Sequence, residues 1–294
     1  MMKTILTVFS MLLLSAWCKG QTVVDLSQAG TLEASISAVG TDNIQRLKIK
    51  GELNGTDIRY LRQLAGDGAS VFATPIVEEL DLSEADIVSG GDAYYEQALT
   101  GAPDSEERFF TEAHTLGDYM FAGCQWLREV VLPASTCRLG ERCFLAATRL
   151  LAVSVPEGVE RIGSQAFSGC GSLTEVQLPS SVLSVDARAF EGCSSLARVT
   201  CLSATPPAYG FKSFPSPETT SLVIREMPYL NVAQDYSEAD GWGKFAITTT
   251  SAVESTALSA TPAEGVKHDL QGRRLSGVPE RGVYIENGQK RVVR

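Results

Sequence analysis

The sequence predicts an α/β solenoid of 23-residue repeats, with a parallel β-sheet on one face, short helical or irregular turns on the other, and a small C-terminal β-hairpin module. Three observations predict it. The first is period: Leu116, Leu139, Ile162 and Val185 are each 23 residues from the last, and Phe121, Phe144, Phe167 and Phe190 follow five residues after each of them. The same spacing joins Leu127/Leu150/Leu173/Leu196, Val130/Val153/Val176/Val199, Leu132/Val155/Leu178/Cys201 and Pro133/Pro156/Pro179. A fixed period of about 20–50 residues marks stacked repeats. The second is the alternation of Val176 and Leu178 with polar neighbours, the pattern of a half-buried strand. The third is Asn287-Gly288 between two short apolar runs, a strong hairpin signal.

Within a unit, Leu173 to Leu178 reads as the strand, and Pro179 ends it because proline has no amide to donate. The return leg, Ile162-Gly163-Ser164-Gln165-Ala166-Phe167, spaces its apolar groups more like a helical turn, and a Gly-Cys bend follows. One unit cannot bury its apolar side alone, so neighbours stack. Strands about 4.8 Å apart would turn each column into a file of like residues inside the coil, a leucine-rich-repeat solenoid. The motif Leu-Gly-x-x-x-Phe-x-x-Cys-x-x-Leu-x-x-Val-x-Leu-Pro over residues 116–201, with a closing element to 245, resembles the BspA-like leucine-rich repeat family of bacterial surface and secreted proteins. That resemblance implies an extracellular binding or adhesion role.

Ahead of the repeats, Lys3, the apolar run Ile5 to Leu14 and the small residues Ser15, Ala16 and Gly20 read as a secretory signal over residues 1–20. The run is too short to span a bilayer. Cleavage before Gln21 and cleavage after Cys18 both fit; lipid anchoring at Cys18 is disfavoured, because Trp17 stands where that motif wants a small residue. Residues 21–115 read as an N-terminal cap with irregular repeats. Ile44 to Ile49 and Val77 to Leu82 keep the strand signature of early rungs, and Ile58, Leu61 and Leu64 are spaced for a helix over Thr56 to Ala65. Asn54-Gly55-Thr56 matches a glycosylation sequon but reads as a turn. Gly90 to Thr115 carries Asp92, Glu96, Asp104, Glu106, Glu107 and Glu112 without the Asp-x-Asp-x-Asp spacing of a calcium loop, and reads as a solvated insertion.

Cys124, Cys170 and Cys193 share one repeat position that Ala147 fills in the remaining unit, which predicts a column of small buried side chains rather than disulfides. Cys201 falls at a core strand position. Cys137 and Cys143 have no such explanation, and no ligand spacing with His114 or His268 makes a metal site of them.

Beyond Cys201 the period breaks at Pro206-Pro207; Ser221 to Ile224 supplies a further strand, and Tyr229 to Phe245 reads as an aromatic helix closing the array. Tyr229, Tyr236, Trp242 and Phe245 have a second reading as a sugar-stacking platform. Thr248 to Ala263 is a Ser/Thr/Ala-rich linker, and Val283-Tyr284-Ile285 and Arg291-Val292-Val293 form the terminal hairpin. The tail Val266 to Arg294 resembles the ends of secreted proteins in the same bacterial group, some of which are sorting signals; it is shorter than a full sorting domain. The domains are therefore 1–20, 21–115, the solenoid with its closing element at 116–250, and the linker with the β-module at 251–294.

The net charge of −10 argues against a nucleic-acid partner, which needs clustered Lys and Arg. No nucleophile elbow, phosphate loop or His-Glu-x-x-His helix is present, so the chain reads as non-enzymatic, without catalytic, cofactor or metal residues. Strand residues facing outward would form a continuous surface. Its candidate ligand-facing positions are Arg46, Lys48, Glu79, Asp81, Glu129, Val131, Glu175, Gln177, Arg198 and Thr200. The partner expected is an extracellular protein or a glycan; a structural spacer on the surface, and a β-solenoid polysaccharide enzyme, are the alternatives. No transmembrane segment is expected, and the sequence leaves the oligomeric state open.

Overall fold

A computed structural model describes residues 20–40, 44–67, 76–99, 102–226, 230–251, 267–268, 274–275, 282–286 and 289–293. The secretory-signal residues before Gly20, with Cys18, lie outside them, as do Tyr229, most of the expected linker and the Asn287-Gly288 turn. Contacts divide the chain into two units, Met1–Thr250 and Ser251–Arg294.

The first unit opens with strand β1 (Thr22–Leu26), helix α1 (Leu32–Val39), strand β2 (Arg46–Leu53), helix α2 (Gly55–Leu64) and strand β3 (Glu79–Ile87). The antiparallel pair β4 (Gly90–Leu99) and β5 (Ala102–Thr111) follows. From there each repeat supplies one short strand and one longer strand. The short strands are β6 (Thr115–Leu116), β8 (Arg138–Leu139), β10 (Arg161–Ile162), β12 (Ser184–Val185) and β14 (Ala208–Tyr209). Interleaved with them run β7 (Glu129–Val131), β9 (Ala152–Ser154), β11 (Glu175–Leu178), β13 (Arg198–Cys201) and β15 (Ser221–Glu226). Helix α3 (Val232–Glu238), a 3-10 turn (Trp242–Lys244) and β16 (Ala246–Ser251) close the unit.

The short strands form one parallel sheet in the order β6-β8-β10-β12-β14. The longer ones form two, β1-β2-β3-β7-β9 and β11-β13-β15-β16. Pairing follows the sequence period: Val130 lies opposite Val153, Val176 opposite Val199, and Leu139 opposite Ile162. Ile44 to Ile49 and Val77 to Leu82 thus contribute rungs to the longer ladder, as their signature predicts.

Inside the coil the equal spacing becomes stacking. Phe121, Phe144, Phe167, Phe190 and Phe214 are all buried, with successive ring centroids 5.5, 5.3, 5.1 and 4.8 Å apart and planes within 15° of parallel. Aromatic rings reach that distance only when displaced sideways, which adds to the burial itself. The glycine that follows Leu116, Leu139 and Ile162 is set by the same closeness. A Cβ on Gly163 would sit 2.6 Å from the carbonyl carbon of Gly140 on the adjacent rung, so a side chain there forces the rungs apart.

Several expectations change. Of the helical and irregular forms expected for the return leg, the irregular one is found: Tyr119, Arg142, Gln165 and Arg188 take positive φ between 54° and 57°, and a left-handed residue there ends any helix. The break in period at Pro206-Pro207 is a single extra residue, and the array continues through it: Ala208 and Tyr209 pair with β12, and Phe214 extends the ring stack. Residues 90–111 form a ribbon that packs on the coil rather than a fully solvated insertion: Tyr94 is buried with its hydroxyl donating to the Asp118 carbonyl at 2.7 Å, and Tyr95 and Phe109 pack on Tyr119. Asn54 is the N-cap of α2, accepting from the Thr56 and Asp57 amides while Asp57 returns the bond to the Asn54 amide, a capping box. Thr248 to Ser251 belongs to β16, not to a linker. Trp242 and Tyr236 are fully buried and Phe245 nearly so, closing the last rung, so they offer no stacking platform to a sugar.

The second unit is an antiparallel four-stranded sheet rather than an isolated hairpin. Its order is β18 (Arg274–Leu275), β17 (Lys267–His268), β19 (Gly282–Glu286), β20 (Gln289–Val293), and the last two strands pair from Gly282↔Val293 to Glu286↔Gln289.

Candidate functional site

The ten ligand-face positions stand on the longer ladder in two files. Arg46, Glu79 and Glu129 lie opposite one another on β2, β3 and β7, and Lys48, Asp81 and Val131 do the same two residues on. Ala152 and Ser154 continue the files on β9. On β11 and β13, Glu175 faces Arg198 and Gln177 faces Thr200, with Ser221 and Val223 next on β15.

The two ends of this face differ in electrostatics. On β2 and β3, Arg46 Nε is 3.0 Å from Glu79 Oε2, and Lys48 Nζ reaches Asp81 at 3.1 Å and Glu84 at 2.8 Å, while Lys50 takes the other Glu84 oxygen at 2.7 Å. Asp81 is buried, and its second oxygen accepts from the Ser83 amide. Burial pulls the Lys48 ammonium down, but its hydrogen bonds to Glu84 and Asp81 outweigh that and leave it above the ordinary lysine value. Hydrogen bonds from Lys48 and Lys50 hold the Glu84 carboxyl at about 2. Burial pushes Glu79 up, against the opposing pull of Arg46. On β11 and β13, among the described residues, the ion pair at these positions is Arg198 with Glu175, at 3.8 Å and partly exposed, a geometry worth little in water. From β7 to β13 the outer file reads Val131, Ser154, Gln177, Thr200: small to medium, uncharged, and partly or fully exposed.

Lys50, Ser83 and Glu84 complete the network at the first end and escape sequence reasoning, because their partners are fixed by a register shift between Lys48 and Lys50. Also unforeseen is a stack on the turn side. The Arg62 guanidinium lies 4.7 Å from the Tyr95 ring centre, Tyr95 stacks on Tyr119 at 5.1 Å, and Arg142 lies over Tyr119 at 5.4 Å and bonds its hydroxyl. Arg142 also donates to Gln165 at 2.6 Å. Each tyrosine thus has a ring neighbour and a guanidinium from within the chain. The 23-residue spacing of Tyr119, Arg142 and Gln165 is visible in the sequence; the partners that fill their faces are not.

Other reactive groups are spoken for. Cys124, Cys143, Cys170, Cys193 and Cys201 are buried free thiols and Cys137 an exposed one. Cys170 and Cys193 donate to the carbonyls of Phe144 and Phe167 one rung back, at 3.2 and 3.1 Å, and burial pushes the Cys124 and Cys193 thiols up to about 12, so they stay unreactive. The column packs, as its small-residue pattern predicts. Asp86 faces His114 Nδ1 at 3.0 Å and accepts from Ser135 at 2.6 Å, so the serine hydroxyl is bound to the acid and not to the imidazole, which is no nucleophile–base relay. A shallow depression lies between Asp118, Arg138, Glu141, Arg161 and Ser164, where Arg161 pairs with Asp186 at 2.6 Å and Asp118 accepts the Glu141 amide at 2.7 Å. Among the described residues no group of three His, Cys, Asp or Glu side chains is placed to hold a metal, and no helix is long and apolar enough to cross a membrane.

The chain is similar to a leucine-rich repeat protein from Bacteroides ovatus ATCC 8483, at 14% identity over 78% of this chain and 42% of that one, with a TM-score of 0.39. It is similar also to the pneumococcal vaccine antigen PcpA, at 14% identity over 69% of this chain and 57% of that one, with a TM-score of 0.38. The match thus spans about half the length of each of those chains. No curated protein matches the sequence. The model of the BspA type leucine rich repeat region matches residues 109–215 in six copies, and this part of the chain belongs to that repeat family.

Proposed function

We propose that this is a non-enzymatic, extracytoplasmic leucine-rich-repeat protein whose longer-strand face binds an extracellular protein or glycan. The observation that supports it is the register: equivalent outward side chains stand directly beside one another on β3, β7 and β9, and again on β11, β13 and β15, so a partner meets ordered files of side chains rather than isolated residues. Within that surface the stretch from Val131 and Ser154 to Gln177 and Thr200 is the more accessible to a partner. It is uncharged along its outer file, and docking there strips water from few ionic groups. Arg46, Lys48, Glu79, Asp81, Glu129, Glu175 and Arg198 then act at the margins, setting orientation more than affinity. A surface spacer is the second reading, favoured by the mutual neutralisation of Arg46, Lys48, Glu79 and Asp81.

The test is a pull-down of the chain lacking residues 1–20 against extracellular-matrix proteins, together with a glycan array. Ser154→Arg/Thr200→Arg and a form ending at Thr250 serve as comparisons. Saturable capture that survives tail removal and is lost in the arginine variant supports binding by this face. No capture by any form favours the spacer.

A further inference from the structure

The longer ladder is interrupted once within the repeats. β9 is the last strand of one sheet and β11 the first of the next, and among the described residues no backbone hydrogen bond joins them, although they occupy consecutive rungs. On the other side of the same two rungs nothing is interrupted. β8, β10 and β12 pair in register, and Phe144 stacks on Phe167 at 5.3 Å.

Core exposure marks the same place. Val153 and Val155 are 8% and 9% exposed, whereas Val130, Leu132, Val176 and Leu178 in the same two columns are at 2% or below. The sequence supplies a reason. Val155 stands where the flanking rungs have Leu132 and Leu178, so this rung brings one methylene less to the core on its longer-strand side. With less apolar contact drawing the strands together, the ladder parts where the fill is poorest.

We infer that the solenoid hinges at this seam. The rungs up to β9 and the rungs from β11 onward form two blocks. They open and close on the longer-strand side about the continuous short ladder, changing the distance between Ala152–Ser154 and Glu175–Gln177. Opening there breaks no ladder hydrogen bond, whereas opening between any other pair of bonded rungs breaks several. Local opening concentrates where backbone bonds are fewest and core contacts thinnest. The outward surface of the coil therefore has an adjustable curvature at its middle.

Residue-resolved hydrogen exchange on the full chain tests this. The amides of 152–154 and 175–177 that face the seam should exchange at least about tenfold faster than the amides of β13, and those of the short strands β8, β10 and β12 should stay protected. A Val155→Leu variant should slow exchange at the seam and nowhere else. Equal protection of seam and β13 amides overturns the inference, and so does fast exchange of the short strands together with the seam, which means whole-rung unfolding. The wild-type comparison decides the matter even if Val155→Leu does not fold.

Discussion

The entry rungs and the repeated rungs reach the same kind of ladder by different means. From Leu116 onward each rung is covered by a copy of itself: phenylalanine on phenylalanine, a small thiol or methyl on another, and glycine at 140, 163 and 210 where backbones approach. Before Leu116 no copy exists, and single residues do the joining. Asp57, 2% exposed, accepts from the amides of Gly30 at 2.6 Å, Leu32 at 3.0 Å and Asn54 at 3.0 Å, tying α1 and α2 together. Arg62, 3% exposed, donates to the carbonyls of Tyr119 and Met120 at 2.8 and 3.0 Å and stacks on Tyr95, which fastens helix, ribbon and first repeat at one point. Repetition spreads stability over columns; an unrepeated end concentrates it in a few buried polar groups.

That contrast can be broken at either end. The largest effect is expected in a column: Phe167→Ala, between two stacked neighbours, should lose about 3–5 kcal/mol in denaturant unfolding, and near-wild-type melting would remove stacking from the account. Next comes the entry, where Asp57→Ala leaves three backbone donors without their acceptor and should cost about 2–3 kcal/mol, with faster proteolysis before Leu116 than after it. A gain is expected at Thr136. Its hydroxyl is buried with no hydrogen-bond partner among the described residues, beside a column that has valine at positions 159 and 182, so Thr136→Val should stabilise by about 1 kcal/mol in the same unfolding assay. The smallest effect is at Glu84. Its folded-state value of about 2 lies below the ordinary carboxylate value of 4.5, so what it contributes is present above pH 4.5 and fades as pH falls through about 2. The slight melting difference between wild type and Glu84→Gln should vanish by then; a difference that grows on acidification would reverse the sign assigned to those ion pairs.

Much of the coil is legible in the sequence because its neighbour rule is translation. Val176 predicts Val199 beside it once the period is known, and with it the outward files at Glu175 and Gln177. What hides is whatever departs from translation. One inserted residue before Tyr209 conceals the last short strand and Phe214. Leu32 and Ile36 bury α1 with two apolar positions only, too few to announce a helix. Tyr94 and Tyr95 both pack inward through a register shift in the ribbon, which defeats the two-residue rule that would have shown a strand. For the candidate site, the positions follow from the period but their partners do not: Lys48 meets Glu84 only through an irregularity between Lys48 and Lys50, and in the inward columns of β9 and β11 a single change, Val155 for leucine, distinguishes the rungs that part.

Nearest-neighbour stacking is the central claim, and a pair of double-mutant cycles tests it most directly. Phe144→Leu with Phe167→Leu probes adjacent rings; Phe121→Leu with Phe190→Leu probes rings three rungs apart. The account predicts a coupling of about 0.5–3 kcal/mol for the adjacent pair and additivity within about 0.5 kcal/mol for the distant one. Additivity in both, or equal coupling in both, would contradict a coil in which each rung is stabilised by the copy beside it.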